Sequence, residues 1–317
     1  MGSEKLRNIR CYLLRNARYL DIARWNYHFE DQSVREVLKA LYAYQNQDGG
    51  FGKGIEADIQ NPASTPVSTW SALRILREVG FPEDADKMLQ RILDYLDHTE
   101  DFDGLKWRDA IPSNNDYPHA PWWSYDESNE VTTYNPTAEL AGVVIRFAEP
   151  NSDLYKKTER LIREMIETAT DSSYEMGDHE LANFIYFYED LQIAKRTDLV
   201  PENFFDFLKG QVDEKIDRDP ALYNPKNYYT SPAFYIQGKD SPYYPGNEEI
   251  CAFYADYIEQ SALPEGYWDL NWNWAEEEVP ANVIRDWKGT ITVQNMLFLQ
   301  GMQDPNPFYK EDVEGDE

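Results

Sequence analysis

Glu56 and Asp58 stand two residues apart in Gly54-Ile55-Glu56-Ala57-Asp58, a spacing that turns both carboxyls to one face of an extended segment. Paired carboxyls in a dry, aromatic setting are driven to different pKa values, so that one serves as a general acid and the other as a base or ligand. Asp116 and His119 form a second pair in Asn115-Asp116-Tyr117-Pro118-His119-Ala120-Pro121-Trp122-Trp123. Among the 4 histidines of the chain, His119 is the one held between two prolines beside two tryptophans. These four residues are the candidate catalytic groups. The competing account of the first pair is structural, with one carboxyl capping a helix or pairing with Lys53. His28 and His179 fall in helical stretches and read as structural histidines.

Around these acids lie aromatic side chains in unusual number. The 14 Phe, 9 Trp and 23 Tyr make the chain 15% aromatic although its mean hydropathy is −0.71, so many of these rings stand in polar surroundings. Tyr42, Phe187, Tyr254 and Phe298 fall on helices and read as packing. Trp122, Trp123, Tyr125, Trp268, Trp272 and Trp274 fall among Pro, Asn and Asp in loops, where ring faces suit a stacked sugar or the carbocation of a polyprenyl chain. Lys53 and Lys288, with Lys106, Arg108 and Lys226, are placed to meet a carboxylate or phosphate near helix N-termini expected at Thr65, Asn135 and Thr290. The alternative is that these cations neutralise neighbours such as Glu56, Asp109 and Asp286.

The elements that must position these residues are helical. Val34, Val37, Leu38, Leu41 and Tyr42 give residues 34–45 a buried stripe, and Asp48-Gly49-Gly50 stops the helix with residues that tolerate positive φ. Thr65 is placed to cap the next helix, with Pro66 at its first position and Trp70, Leu73, Ile75 and Leu76 as its apolar content. Asn135-Pro136 repeats the cap-then-proline pattern before Leu140, Val143, Val144 and Phe147. Outer helices are expected over 83–96, 154–169 and 203–216, and inner ones over 180–191 and 247–258. A last helix runs through Val293, Met296, Leu297 and Leu299, and a helix from residue 4 to about 24 closes the set. No sustained alternating strand pattern appears. Three long aromatic loops, 104–136, 223–247 and 266–289, precede inner helices, as does the loop carrying Glu56. If outer and inner helices alternate, all four loops collect at one end.

Gln45, Asp48-Gly49-Gly50-Phe51 and the Ser71-Ala72-Leu73 run that follows resemble the repeat of terpenoid cyclases and protein prenyltransferase β-subunits. That resemblance implies an all-α fold, a single α/α toroid of about five helical hairpins over residues 1–317, with its long aromatic loops at one end. It also implies carboxylate acid chemistry on a small ligand, an isoprenoid, in the central cavity. The chain is more similar still to a group of uncharacterised bacterial proteins of about this length through Ala-Arg-Tyr-Leu-Asp-Ile-Ala-Arg-Trp-Asn-Tyr-His-Phe-Glu at 17–30, Gly-Phe-Gly-Lys-Gly-Ile-Glu-Ala-Asp at 50–58 and Pro-His-Ala-Pro-Trp-Trp at 118–123. Carbohydrate-active toroids use similar Gln-then-Gly-Gly turns, so an oligosaccharide hydrolase or lyase is the alternative, and a non-catalytic binding scaffold is the third.

Composition narrows these readings. With 30 basic and 58 acidic residues and a formal net charge of −28, the chain is a poor partner for nucleic acid or an anionic membrane. The acid reads mainly as solvated surface on outer helix faces and in the tail 304–317. Cys11 and Cys251 give neither a disulfide framework nor a Cys-x-x-Cys metal pair, and the polar start lacks an apolar signal segment. A reduced, cytoplasmic protein with no membrane span is therefore expected, with Met1-Gly2-Ser3 readable as an expression remnant. No Asp-x-Cys zinc set of the prenyltransferases is present, nor the Asp-x-Asp-Asp or Asp-Asp-x-x-Asp motifs of the terpene cyclases. Glu56-Ala57-Asp58 is at most a degenerate form of the former acid motif. Neither Gly-x-Ser-x-Gly, a Walker loop nor His-Glu-x-x-His occurs. No metal or cofactor is implied, and the oligomeric state is left open.

Overall fold

The computed structural model describes residues 1–127, 133–274 and 278–303. The tail 304–317 lies outside them. Among the described residues the chain is all-helical, with eleven α-helices, short 3-10 turns and only isolated β-bridges. In chain order these are α1 (Ser3–Asn16), α2 (Tyr19–Phe29), α3 (Val34–Tyr42), α4 (Pro66–Glu78), α5 (Asp86–His98), α6 (Thr137–Phe147), α7 (Asp153–Ala169), α8 (Asp178–Ile193), α9 (Phe204–Lys215), α10 (Glu248–Ser261) and α11 (Ala281–Gly301). None of the described helices is long and apolar enough to cross a membrane. The helices fall into two compact units, named here for their place in the sequence. The central unit is Val34–Val212 with Trp274–Pro280, and the terminal unit is Met1–Ser33, Asp213–Asn273 and Ala281–Glu317.

Burial sorts the helices of the central unit into two kinds. α5 buries Met88, Leu89, Ile92, Leu93, Tyr95 and Leu96 along one side and leaves Asp86, Lys87 and Gln90 to solvent or its margin, and α7 has the same one-sided pattern. α6 is buried continuously from Thr137 to Ile145, and packs against both α7 and α8. Gly142 makes the α6–α8 approach achievable, since a Cβ there would lie 2.9 Å from the Phe187 Cα and 3.1 Å from Asp190 Oδ2. α4 buries Val67, Ala72, Leu73, Ile75 and Leu76, each fully buried Leu or Ile contributing about 1.5–3 kcal/mol. Its remaining stripe, Trp70, Ser71, Arg74, Arg77 and Glu78, stays partly accessible.

The start of α4 follows local rules. The Thr65 side chain accepts a hydrogen bond from the Ser68 N–H at 2.9 Å, and Pro66 occupies the first turn. Asn135 does not cap α6. The helix starts at Thr137 with Pro136 in the cap position and no side-chain cap, and the Asn135 amide oxygen instead accepts a hydrogen bond from Asn183 of α8 at 2.7 Å.

In the terminal unit α11 packs against α1, α2 and α10. Two sequence expectations change here. The first 24 residues do not form one helix, because backbone in extended conformation at Ala17 and Arg18 separates α1 from α2. The break places Arg18 beside the buried Asp21, which also holds Arg24 and Thr290, the carboxylate distances being 2.9, 3.0 and 3.2 Å. The last helix starts at Ala281, directly after Pro280, so Thr290 is an interior residue of α11 and not an N-terminus. Lys288 accordingly lies on a helix and not in a loop.

Candidate functional site

Apart from Trp274, the sequence-derived residues of the central unit lie on two loop segments that pair. The Ala120 N–H donates to the Asp58 carbonyl at 2.9 Å, the Gln60 N–H donates to the Pro118 carbonyl at 2.9 Å, and Ile59 and His119 form an antiparallel bridge. Asp58 is buried, and Trp274 Nε1 donates to its Oδ1 at 2.8 Å. Glu56 is also buried, its Oε2 accepting from the Ser71 hydroxyl of α4 at 2.9 Å. Both ring nitrogens of His119 are engaged, Nδ1 with the Tyr117 carbonyl at 2.7 Å and Nε2 with the Ser124 hydroxyl at 2.9 Å. His119 thereby ties together the two ends of the turn that carries Trp122 and Trp123.

Trp122 is 48% exposed, whereas Trp123 is mostly covered and its buried Nε1 has no partner among the described residues. Asp116 is exposed, and the Tyr125 backbone is pinned by the Asn115 side chain. Lys53, in the left-handed region at φ 59°, donates to the Ala43 and Gln45 carbonyls at 3.2 Å and so closes the end of α3.

The other three lie in the terminal unit. Trp268 is buried and donates to the Ile258 carbonyl, Trp272 meets the Trp287 ring edge-on at 5.1 Å, and Lys288 pairs with Asp269 at 2.6 Å beneath the Tyr267 ring. Trp268 and Lys288 are thus occupied within their own unit, and the buried Trp272 Nε1 has no partner among the described residues.

A second constellation carries no motif. α4, α6 and α8 present Trp70, Arg74 and Arg77; Glu139 and Arg146; and Asn183, Tyr186, Glu189 and Asp190 to one another. Glu139 is fully buried and accepts from Trp70 Nε1 at 2.7 Å, from Arg74 at 2.5 Å and from Arg77 at 3.0 Å. Asp190, also fully buried, receives both Arg77 amino groups at 3.1 and 2.5 Å and Arg146 at 3.0 Å. Arg74 reaches on to Asn183 at 2.9 Å. The guanidinium groups also cover rings: Arg74 over Trp70 and Tyr186 at 4.9 and 4.3 Å, Arg77 over Tyr186 and Phe81 at 4.9 and 5.4 Å, and Arg146 over Phe81 and Phe147 at 4.9 and 4.6 Å. Planar, always-charged arginine is suited to such forked and stacked contacts.

The titrating groups of this face are shifted by their surroundings. Burial disfavours charge on Arg77, but Glu139 and Asp190 outweigh it and hold the guanidinium more firmly protonated than usual. Burial raises the Tyr186 phenol, with Arg74 opposing. Glu189 is pushed up to about 7, first by burial and then by Asp190 and Glu139, against the pull of Arg77 and Arg74. His179, in the first turn of α8, is lowered by the protein crowded around it and by Arg74, yet its surface is exposed. Tyr186 and Glu189 are likewise reached by solvent while closely surrounded. Accessibility combined with crowding marks a recessed face. Glu189 forms no hydrogen bond or ion pair among the described residues, in contrast to Glu139 and Asp190.

Glu56 adjoins this face through Ser71, the neighbour of Trp70 on α4. The sequence singles out Glu56 and gives no motif for Arg74, Arg77, Glu139 or Asp190. A positional signal exists for Glu139, which stands in Ala138-Glu139-Leu140-Ala141 within an otherwise apolar stretch, and none exists for Asp190, which follows Glu189. No group of three or more His, Cys, Asp and Glu residues among those described is arranged to hold a metal ion. Comparison with family models, with curated proteins and with solved structures returns no match.

Proposed function

We propose that this chain is an α/α toroid whose inner helices, α4, α6 and α8 among them, wall a recess for a polar, polyhydroxylated small ligand of the oligosaccharide class. The observation that carries the reading is the composition of the α4, α6 and α8 face, where guanidinium, carboxylate, phenol and indole groups replace the aliphatic lining a prenyl chain would need. The isoprenoid chemistry implied by the terpenoid-cyclase resemblance therefore has less support here than the sugar alternative. A polyhydroxylated ligand fits because the partly accessible Trp70 and Tyr186 supply flat surfaces, while the surrounding charged groups are held in place by one another.

Titration calorimetry with a panel of short neutral oligosaccharides, run beside farnesyl diphosphate, tests this. Saturable heat with at least one oligosaccharide is expected, and Tyr186→Ala should weaken it about tenfold, the loss of one stacking surface of about 1–1.5 kcal/mol. Binding of the prenyl diphosphate alone would return the isoprenoid reading to first place.

A further inference from the structure

We propose that Glu189 is the catalytic proton donor of this face, delivering its proton to the bridging oxygen of a bound glycosidic bond as water hydrolyses that bond. The inference rests on the oligosaccharide reading above and extends it from binding to a reaction.

Of the carboxyls at or beside this face, Glu139 and Asp190 are committed to arginines, and Glu56 and Glu78 are engaged as well. Glu139 and Asp190 are fully buried, and each accepts three or more hydrogen bonds from arginine or tryptophan donors. Neither can move to a ligand without leaving a buried cation unpaired. Glu189 is the remaining one. It is reached by solvent, has no hydrogen-bond or ion-pair partner among the described residues, and follows Tyr186 by three positions on α8, so the two side chains share a helix face. A carboxyl left without a partner within the electrostatic range of Arg77, Asp190, Glu139 and Arg74 is an arrangement that packing alone does not require.

Electrostatics supports the role. A carboxyl held near 7 carries a proton on about half of the molecules at neutral pH and still releases it readily, which suits general acid catalysis. The Tyr186 phenol is shifted the other way for proton abstraction, since burial keeps it protonated. This argues for hydrolysis and against an eliminative cleavage that begins with a tyrosinate base. In the step itself the C–O bond to the leaving sugar breaks, that oxygen takes the Glu189 proton, and the water oxygen bonds to the anomeric carbon. The water proton is released to solvent, from which Glu189 is reloaded. No oxidant or further reactant is needed. Tyr186 and Trp70 position the sugar ring, and the arginine network, which fixes α4 against α6 and α8, holds the donor on rigid elements.

The test uses the full chain, the neutral oligosaccharide panel and the Glu189→Gln variant, with binding read by calorimetry and cleavage by chromatography of the products. Expected are cleavage by the parent chain, an affinity for Glu189→Gln within about threefold of the parent, and a loss of turnover of about 100-fold or more. On nitrophenyl glycosides, whose leaving group needs no proton, the variant should keep most of its activity, a split that a merely structural residue would not produce. Equal turnover of the panel by Glu189→Gln overturns the proposal, as does an equal loss on both substrate types. Binding of an oligosaccharide without cleavage by the parent chain also overturns it and leaves the binding reading standing. Failure of every oligosaccharide to bind removes that reading and the proton donor with it.

Discussion

The Gly-rich turn over residues 45–65 and the recessed face of α4, α6 and α8 share one helix, α4, and load it differently. In the turn Gln45, Asp48 and Phe51 are spent on local architecture. Gln45 is buried and donates to the Gly49 and Met88 carbonyls at 2.9 and 3.3 Å. Asp48 Oδ1 accepts from the Gly50 N–H and the Ser64 hydroxyl at 3.0 and 2.7 Å, and Phe51 is locked to Thr65 and Thr69 of the α4 start. The residues that carry the terpenoid-cyclase resemblance thus act as a clamp that fixes α3, α5 and α4. The recessed face has no motif, yet it gathers residues from positions 70 to 190 and leaves one carboxyl without a partner. A recognisable repeat therefore reports how the scaffold is held, and the chemistry is to be sought where charges converge from separate helices.

The face breaks most severely at its most committed residue. Asp190→Ala removes the carboxylate that holds Arg146 and leaves Arg77 with Glu139 alone, and truncating one member of a buried ion pair costs about 3–5 kcal/mol. Urea unfolding should show that loss, and an unchanged midpoint would mean that the network contributes nothing to the central unit. The turn breaks at Gly49. Its φ of 96° and the 2.0 Å that would separate a Cβ from the Arg91 carbonyl oxygen mean that Gly49→Ala must displace α5 from the turn. A loss of about 2–3 kcal/mol is expected by the same measurement. Because Gly49 and Asp190 lie in different clusters, their double variant should lose nearly the sum of the two, and a strongly non-additive result would show that turn and face are energetically one region.

How much of this was legible in sequence follows from how local each determinant is. Thr65 and Pro66 announce α4 because the cap bond closes within three residues. Asn135 misleads because its amide serves Asn183, 48 positions later, and not its own helix. The expected helix start at Thr290 is nine residues late, α11 beginning at Ala281 where Pro280 marks it. Gly289 is helical, and its missing side chain lets α11 approach Ala17, whose Cβ would lie 2.9 Å from an added Cβ. Glu56, Asp58 and His119 stand out in sequence because each lies near its companions in the chain. The α4, α6 and α8 face does not, because polar residues at helical spacing look alike whether they meet solvent or one another. Only the burial of Glu139 and Asp190 separates the cases. Apolar periodicity made the helices themselves legible, and their burial differs, one-sided in α5 and α7 and continuous over most of α6.

The smallest expected effect sharpens the comparison by its sign. A carboxyl whose folded pKa is raised from 4.5 to about 7 binds more protons in the native chain than in the unfolded one over that interval. Its contribution to stability is therefore fully present below about 4.5 and is lost as the pH rises through about 7, so above neutrality ionised Glu189 weighs against the fold. Glu189→Gln removes that charge. Converted in full the shift would be worth about 3 kcal/mol, but solvent reaches the side chain and screens part of it, so a gain of about 1–2 kcal/mol at pH 8 is expected. The gain should shrink as the pH falls and vanish near pH 4.5, whereas changes in the clamp, such as Gln45→Ala, should destabilise by an amount that varies little over the same range, because the side-chain partners of Gln45 are two backbone carbonyls and an always-charged arginine. Thermal unfolding of the two variants against pH measures this directly. A Glu189→Gln curve parallel to that of the parent would show that Glu189 titrates as an ordinary surface carboxyl, and the distinction between a fully committed turn and a face that holds one group in reserve would be lost.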